Sequence, residues 1–225
     1  MVNVTIWNEY RSERENTDAA ALYPNGIHRF IGEFINEDGH NVQFATLDDP
    51  ENGLPDSVLD QTDVLLWWSH NKNEEVLDSV AKRVEQRVLD GMGLIVLHSG
   101  LRSKPFHLLM GTTCHSKRRN KDELERVWIV SPNHQIVKNI ESNYIEIPKS
   151  QIFTEPFDIP QPDHLILISW NQAGDVFRSG CCWNKGNGKI FFLGPGHETH
   201  PVYYNKDIQS IIKNSIYWAK PQPNS

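Results

Sequence analysis

Cysteine is scarce in this chain: three in 225 residues (Cys114, Cys181 and Cys182), with no CxxC spacing. The scarcity and the odd number exclude a disulfide framework and a four-cysteine zinc site, and fit a reducing compartment. Long apolar runs are missing as well. The longest, Val64 to Trp68 and Leu94 to Leu97, fall far short of the roughly 20 residues that a bilayer span requires. The opening residues MVNVTIWNEY lack the pattern of a secretory signal. A cytoplasmic protein with no membrane partner is the expectation. Positive charge is in deficit, 22 Lys and Arg against 29 Asp and Glu for a net charge of −7, which disfavours nucleic acid as a partner. No GxGxxG follows the first strand-like run, and no GxxxxGK[ST] phosphate loop occurs.

What the chain does have is core-forming material, 38% hydrophobic and 10% aromatic with seven tryptophans, enough for one domain over residues 1–225. Val2 to Trp7 reads as a first strand. Tyr23 to Asp38 then carries Ile27, Phe30, Ile31, Phe34 and Ile35 at helical spacing. Val42 to Leu47 and the apolar Asp63 to Trp68 read as strands, and Pro55 to Asp60 fits only a short helix. Val76, Leu77, Val80, Val84 and Val88 predict a helix over Glu74 to Leu89. Gly93 to His98 is a fourth strand. Alternating strands and helices imply parallel strands with right-handed crossovers. In the second half Arg126 to Val130, His164 to Ser169, Val176 to Cys182 and Lys189 to Leu193 look like strands, and Asp207 to Ala219 like a closing helix. Thr112 to Asp163 reads as an insertion.

In an open parallel sheet ligands bind beyond the carboxyl ends of the strands. Four such ends carry titratable groups: Glu9 after the first, His70 after the third, His98 after the fourth, and His197 and Glu198 after Lys189 to Leu193. If the strands are neighbours, these converge on one rim suited to proton transfer or metal binding. Trp7 and Trp68 near that rim could stack on sugar rings, although core packing competes. Asn8 and Ser99 complete a polar substrate-binding set. His197-Glu198-Thr199-His200 is one residue short of HExxH and lies between Pro195 and Pro201, which excludes helical zinc ligation. The LHSGLRS turn could present His98 or Ser99 as an elbow, but Leu97 and Leu101 flank Ser99 where GxSxG has glycines. A structural turn is the preferred reading. The cysteines read as buried inert thiols, and the basic run Ser116 to Lys121 as a solvated loop.

VTIWNEYR, YPNGIH, ATLDDPENGL, TDVLLWWSH, RVLDGMGLIVLHSG, SKPFHLLMGTTC, FDIPQPD, ISW, DVFRSGC and GKIFFLGPGHETHPVY occur in that order. From about Val4 to Ala219 they resemble the ThuA-like, trehalose-utilisation family. The resemblance implies a three-layer α/β/α sandwich with a mainly parallel sheet, flavodoxin-like and similar to class I glutamine amidotransferases. It also implies a role in disaccharide metabolism, extending to keto-sugar derivatives. Amidotransferase relatives use a cysteine at the elbow, where this chain has His98 and Ser99, so glutaminase activity is not implied. His28, His70, His98, His197, Glu9, Glu155 and Glu198 match family motifs, whereas Asn73 and Leu101 stand where the family pattern carries histidine.

The expected function is therefore a small-carbohydrate enzyme in which His98 and Glu198 form the first acid–base pair, with His197, Glu9 and Glu155 as further catalytic candidates. A divalent metal such as zinc is a variant, with His28, His70 and His98 as ligands. A non-catalytic sugar-binding or partner-binding module is the rival. A homo-oligomer has only the general frequency of two-fold dimers behind it.

Overall fold

A computed structural model describes residues 1–222, leaving the last three of the expected domain outside. The chain runs β1 (Asn3–Asn8), α1 (Ser12–Glu15), α2 (Thr17–Leu22), α3 (Ile27–Asn36), β2 (Asn41–Thr46), α4 (Asp56–Leu59), β3 (Val64–Trp68), α5 (Asp78–Asp90) and β4 (Gly93–Leu97). It continues through α6 (Lys104–Met110), β5 (Ser116–Ile129), β6 (Tyr144–Phe157), β7 (His164–Asn171), β8 (Val176–Lys185), β9 (Gly188–Leu193) and α7 (Lys206–Ala219).

The nine strands form one sheet in the order β2-β1-β3-β4-β9-β8-β7-β5-β6. The pairings from β2 through β9 are parallel and the remaining four are antiparallel. The sheet is therefore mixed, which corrects the expectation of a mainly parallel one. The reason lies in the second half, where short connections join β7, β8 and β9, and such connections permit only antiparallel neighbours. Thr112 to Asp163 is no insertion outside the fold, because it supplies β5 and β6 to the same sheet.

Side chains alternate across the parallel strands. Val64, Leu66 and Trp68 pack with Val4 and Ile6 under α3 and α7, while Leu65, Trp67 and Trp7 pack on the other face with α5 and α6. Every residue of β3 and β4 is buried, as expected for parallel strands covered on both faces.

Helix α3 begins later than its apolar spacing suggests, after Gly26, whose φ of 92° is left-handed backbone. Helix α5 likewise begins at Asp78, because the Leu77 N–H donates to Asn52 Oδ1 (2.9 Å) and Leu77 is extended. Helix α7 is capped by Asn205, which accepts from the N–H groups of Asp207 and Ile208. The run Ser116 to Lys121, expected as a solvated loop, is the start of β5.

Candidate active site

The strand order β1-β3-β4-β9 places four carboxyl ends side by side. His70 follows β3, His98 follows β4, and His197 and Glu198 lie in the loop after β9. Their imidazoles form a triangle, with ring centroids 5.1 Å apart for His70 and His197, 5.5 Å for His98 and His197, and 6.2 Å for His70 and His98. All three line one cleft with Ser99.

Glu198 is the carboxylate behind this triangle. Its Oε1 lies 2.5 Å from His70 Nδ1 and accepts from the Ser12 hydroxyl at 3.2 Å. Its buried Oε2 has no hydrogen-bond partner and lies 3.5 Å from His197 Nδ1. Burial opposes ionisation of this carboxyl, but the hydrogen bond from His70 and the charges of His70 and His197 outweigh it and hold the group at about 2. Glu198 thus contacts His70, whereas the expected pair was His98 with Glu198. His98 instead faces a backbone carbonyl, Nδ1 to Gly194 O at 2.8 Å.

Because a carbonyl and a carboxylate only accept, Nδ1 carries the proton in His98 and His70, and Nε2 holds the lone pair. His197 is the opposite: Nδ1 accepts from the Thr199 N–H (3.3 Å) and lies 2.9 Å from the Thr199 hydroxyl, so Nε2 carries the proton. Burial drives His98 well below the ordinary histidine value, reinforced by the neighbouring His197 and His70. Burial also lowers His197 to about 4, with Glu198 opposing and His70 adding to the effect.

His98 has φ 48°, so the tip of the turn is His98 rather than Ser99. Counted from His98, Gly100 falls two residues on, where an elbow needs a small residue. A Cβ there would lie 3.1 Å from the Trp67 carbonyl and 3.0 Å from Val96 Cγ1. The glycine spacing was legible, but only relative to the neighbouring residue.

Other expected site residues serve the framework. Glu9 is fully buried and accepts from the N–H groups of His70 (2.8 Å), Asn71 (3.0 Å) and Lys72 (3.0 Å), so it fixes the loop that carries His70. Asn8 donates to Glu13 Oε1 (2.6 Å), lies 2.9 Å from His28 Nδ1, and accepts from the Tyr10 N–H. Its amide is occupied and offers a substrate nothing. His28 is wedged between Tyr10 and Phe44. Trp7 and Trp68 are 0% exposed, with Trp7 stacked on Trp67 at 4.0 Å. No ring face of either is open to a sugar. Glu155 is bound to Arg178 through Nε (2.8 Å) and Nη2 (3.1 Å) and accepts from the N–H groups of Phe157 and Arg178. Burial opposes its ionisation, but those donors outweigh it and lower its pKa. All three thiols are buried and pushed up by that burial, Cys114 to about 11 and Cys181 to about 12.

Among the described residues, the group whose donor atoms fit a metal ion within 4.8 Å of one another is His70, His197 and Glu198. Of the expected ligands His28, His70 and His98, this group contains His70. The remaining wall of the cleft was not foreseen. It comes from the antiparallel arm, with Arg118 and Arg119 on β5 and Gln151, Ile152 and Phe153 on β6. The only available signal was the basic run itself.

The profile of the trehalose-utilisation family, ThuA, matches residues 3–219. The chain belongs to the ThuA family. The chain superimposes on a ThuA-like protein of Parabacteroides merdae with a TM-score of 0.71 at 11% identity, covering 100% of this chain and 92% of that one. A ThuA-like protein of Bacteroides uniformis gives 0.68 at 15%, over 96% and 90% of the two chains. A glutamine amidotransferase of Thermotoga maritima gives 0.54 at 9%, over 96% and 99%. At such identities the likeness is one of fold, and it supports the amidotransferase-like α/β architecture. No curated protein matches the chain in sequence. No helix among the described residues is long and apolar enough to cross a membrane.

Proposed function

We propose that this member of the ThuA family acts on a disaccharide of the trehalose type, or on its keto derivative, by proton transfer within the imidazole triangle. The observation that carries the reading is the 2.5 Å contact of His70 Nδ1 with the buried Glu198, which leaves His70 Nε2 as a base backed by a carboxylate. A sugar hydroxyl or an acidic C–H next to a keto group loses its proton to that nitrogen, and the Nε2–H of neutral His197 donates a hydrogen bond to the sugar oxygen on which negative charge develops. His98 stays uncharged, so that the triangle does not accumulate positive charge beside the substrate.

The donor set also suits a divalent cation such as zinc, since Glu198 Oε2 is buried with no partner and stands with His70 and His197 in one group. Bound there, a cation would supply Lewis-acid polarisation of a sugar oxygen.

The test is turnover of trehalose, other disaccharides and their 3-keto forms by purified protein, before and after chelation and zinc addition. Glu198→Gln and His70→Ala are expected to lower kcat by roughly 10²- to 10⁴-fold. Absence of turnover of every sugar, with saturable binding retained, would favour the alternative of a binding module. Asn73 and Leu101 favour that alternative: Asn73 is bound to the Ser69 hydroxyl at 2.6 Å and Leu101 is fully buried in the core, at places where the family pattern has histidine.

A further inference from the structure

The wall built by the antiparallel arm has a chemistry that neutral sugars do not require. Elsewhere among the described residues most arginines sit against carboxylates, as Arg83 does with Glu51 and Asp56, Arg126 with Glu146, and Arg178 with Glu155, while Arg29 lies over the Phe44 ring instead. Within the cleft wall Arg119 follows the same habit, neutralised by Glu123 at 2.8 Å and Asp175 at 3.3 Å. Arg118 does not. It lines the cleft beside the three imidazoles, and no described carboxylate lies within ion-pair distance of it or lines that cleft. Arg102, in the turn after β4, is likewise without a described carboxylate partner. Its guanidinium lies 5.6 Å from the ring centroid of Phe153, and Phe153 pairs directly with Arg118 in the β5–β6 register. Arg102 lines the adjoining groove, which meets the cleft at His70.

Two guanidiniums without a described carboxylate partner flank Phe153 at the mouth of a site whose inner groups are three imidazoles and a hydroxyl. Arg102 is partly buried, and its charge is disfavoured first by that burial and then by Arg118. An anion placed between the two would relieve both costs and accept bidentate hydrogen bonds. We infer that the cleft is built for an acidic sugar, one carrying a phosphate or a carboxylate, with its anionic group on Arg118 and Arg102 and its hydroxyls toward His70, Ser99 and His197. The inference rests on the sugar reading of the site and narrows its substrate class.

Calorimetric titration of the full chain with trehalose, trehalose 6-phosphate, glucuronate, glucose and inorganic phosphate tests it. Trehalose 6-phosphate, glucuronate or both should bind roughly tenfold or more tightly than the matching neutral sugar, with affinity falling as salt rises. Which of the two acidic sugars gains identifies phosphate or carboxylate as the preferred group. Arg118→Gln should bring acidic and neutral sugars to about equal affinity, and circular dichroism and Tm would show the variant folded. Arg102→Gln provides the same comparison should Arg118→Gln fail to fold. Equal affinity of acidic and neutral sugars for the wild type, or a preference that survives both substitutions, overturns the acidic-sugar assignment while leaving the sugar reading intact. Arg118-dependent binding of inorganic phosphate with no sugar bound overturns the sugar reading and leaves only an anion site. No binding by any probe overturns both.

Discussion

His28 is 2% exposed, its Nδ1 lies 2.9 Å from the Asn8 amide, and burial lowers its pKa to about 4. In the unfolded chain the same imidazole titrates near 6.5, so between about pH 6.5 and 4 the unfolded state binds more protons and stability falls as pH falls. From pH 7 to pH 5 this one residue should remove about 2 kcal/mol of folding free energy. Urea unfolding of wild type and His28→Gln at the two pH values checks it: the variant should lose less than the wild type by about that amount, and equal losses would remove His28 from the account. Glu9 shows a second way in which a buried polar residue serves a site. It touches no open space, yet it holds three successive N–H groups of the His70 loop. Strand-end position locates Glu9, expected as a proton-transfer group, but does not reveal that its oxygens accept from three backbone N–H groups.

At the scale of elements, the site depends on turns that only particular backbones can make. The loop after β9 contains Gly196 at φ 145°, and a Cβ there would meet the Tyr203 hydroxyl at 2.1 Å and His98 Cβ at 3.3 Å. The Gly196 carbonyl also accepts from Trp68 Nε1 at 3.3 Å. Gly196→Ala is therefore expected to destabilise by about 2 kcal/mol or more through strain and overpacking. Thermal denaturation checks this, and an unchanged Tm would mean that the loop has room to move. The parallel strands were readable because burial on both faces leaves continuous apolar runs such as VLLWW. Strand β6 was missed and β5 was cut to its last residues, because sequences such as SKRRNKDELERV show neither an apolar run nor clean alternation. Their register shifts between Arg119 and Glu123 and between Glu123 and Glu125 break the period of two on which recognition depends.

At the scale of the whole molecule, the arm formed by β5 and β6 must stay folded over the carboxyl ends of the parallel strands for the cleft to exist. One tie between the two is the pair of His200 Nε2 and Asp122 Oδ1 at 3.1 Å, joining the loop after β9 to β5. The Asp122 side chain is largely exposed, so Asp122→Asn should cost at most about 1 kcal/mol of global stability. The same change should loosen the arm locally. Hydrogen exchange of β5 amides is expected to accelerate in the variant while exchange in β3 and β4 stays unchanged, and equal protection throughout would show that the pair does not hold the arm. The coincidence of imidazoles and arginines in one cleft, with Glu198 behind them, is likewise a property of the whole sheet, since its walls come from segments as distant as His70 and His197.

The family, the alternation of strands and helices in the first hundred residues, and the candidacy of His70, His98, His197 and Glu198 follow from the chain alone. Apolar periodicity and motif order are local quantities that a sequence carries explicitly. Pairing partners are not: whether Glu198 meets His70 or His98, whether His28 faces a metal or Asn8, and whether Trp7 faces solvent or Trp67 depend on distances across strands far apart in sequence. The same is true of Arg118, whose basic neighbours suggest a solvated loop until strand pairing turns it toward three histidines. Tertiary structure decided these points because hydrogen bonds, burial and charge act over a few ångströms of space, whatever the separation along the chain.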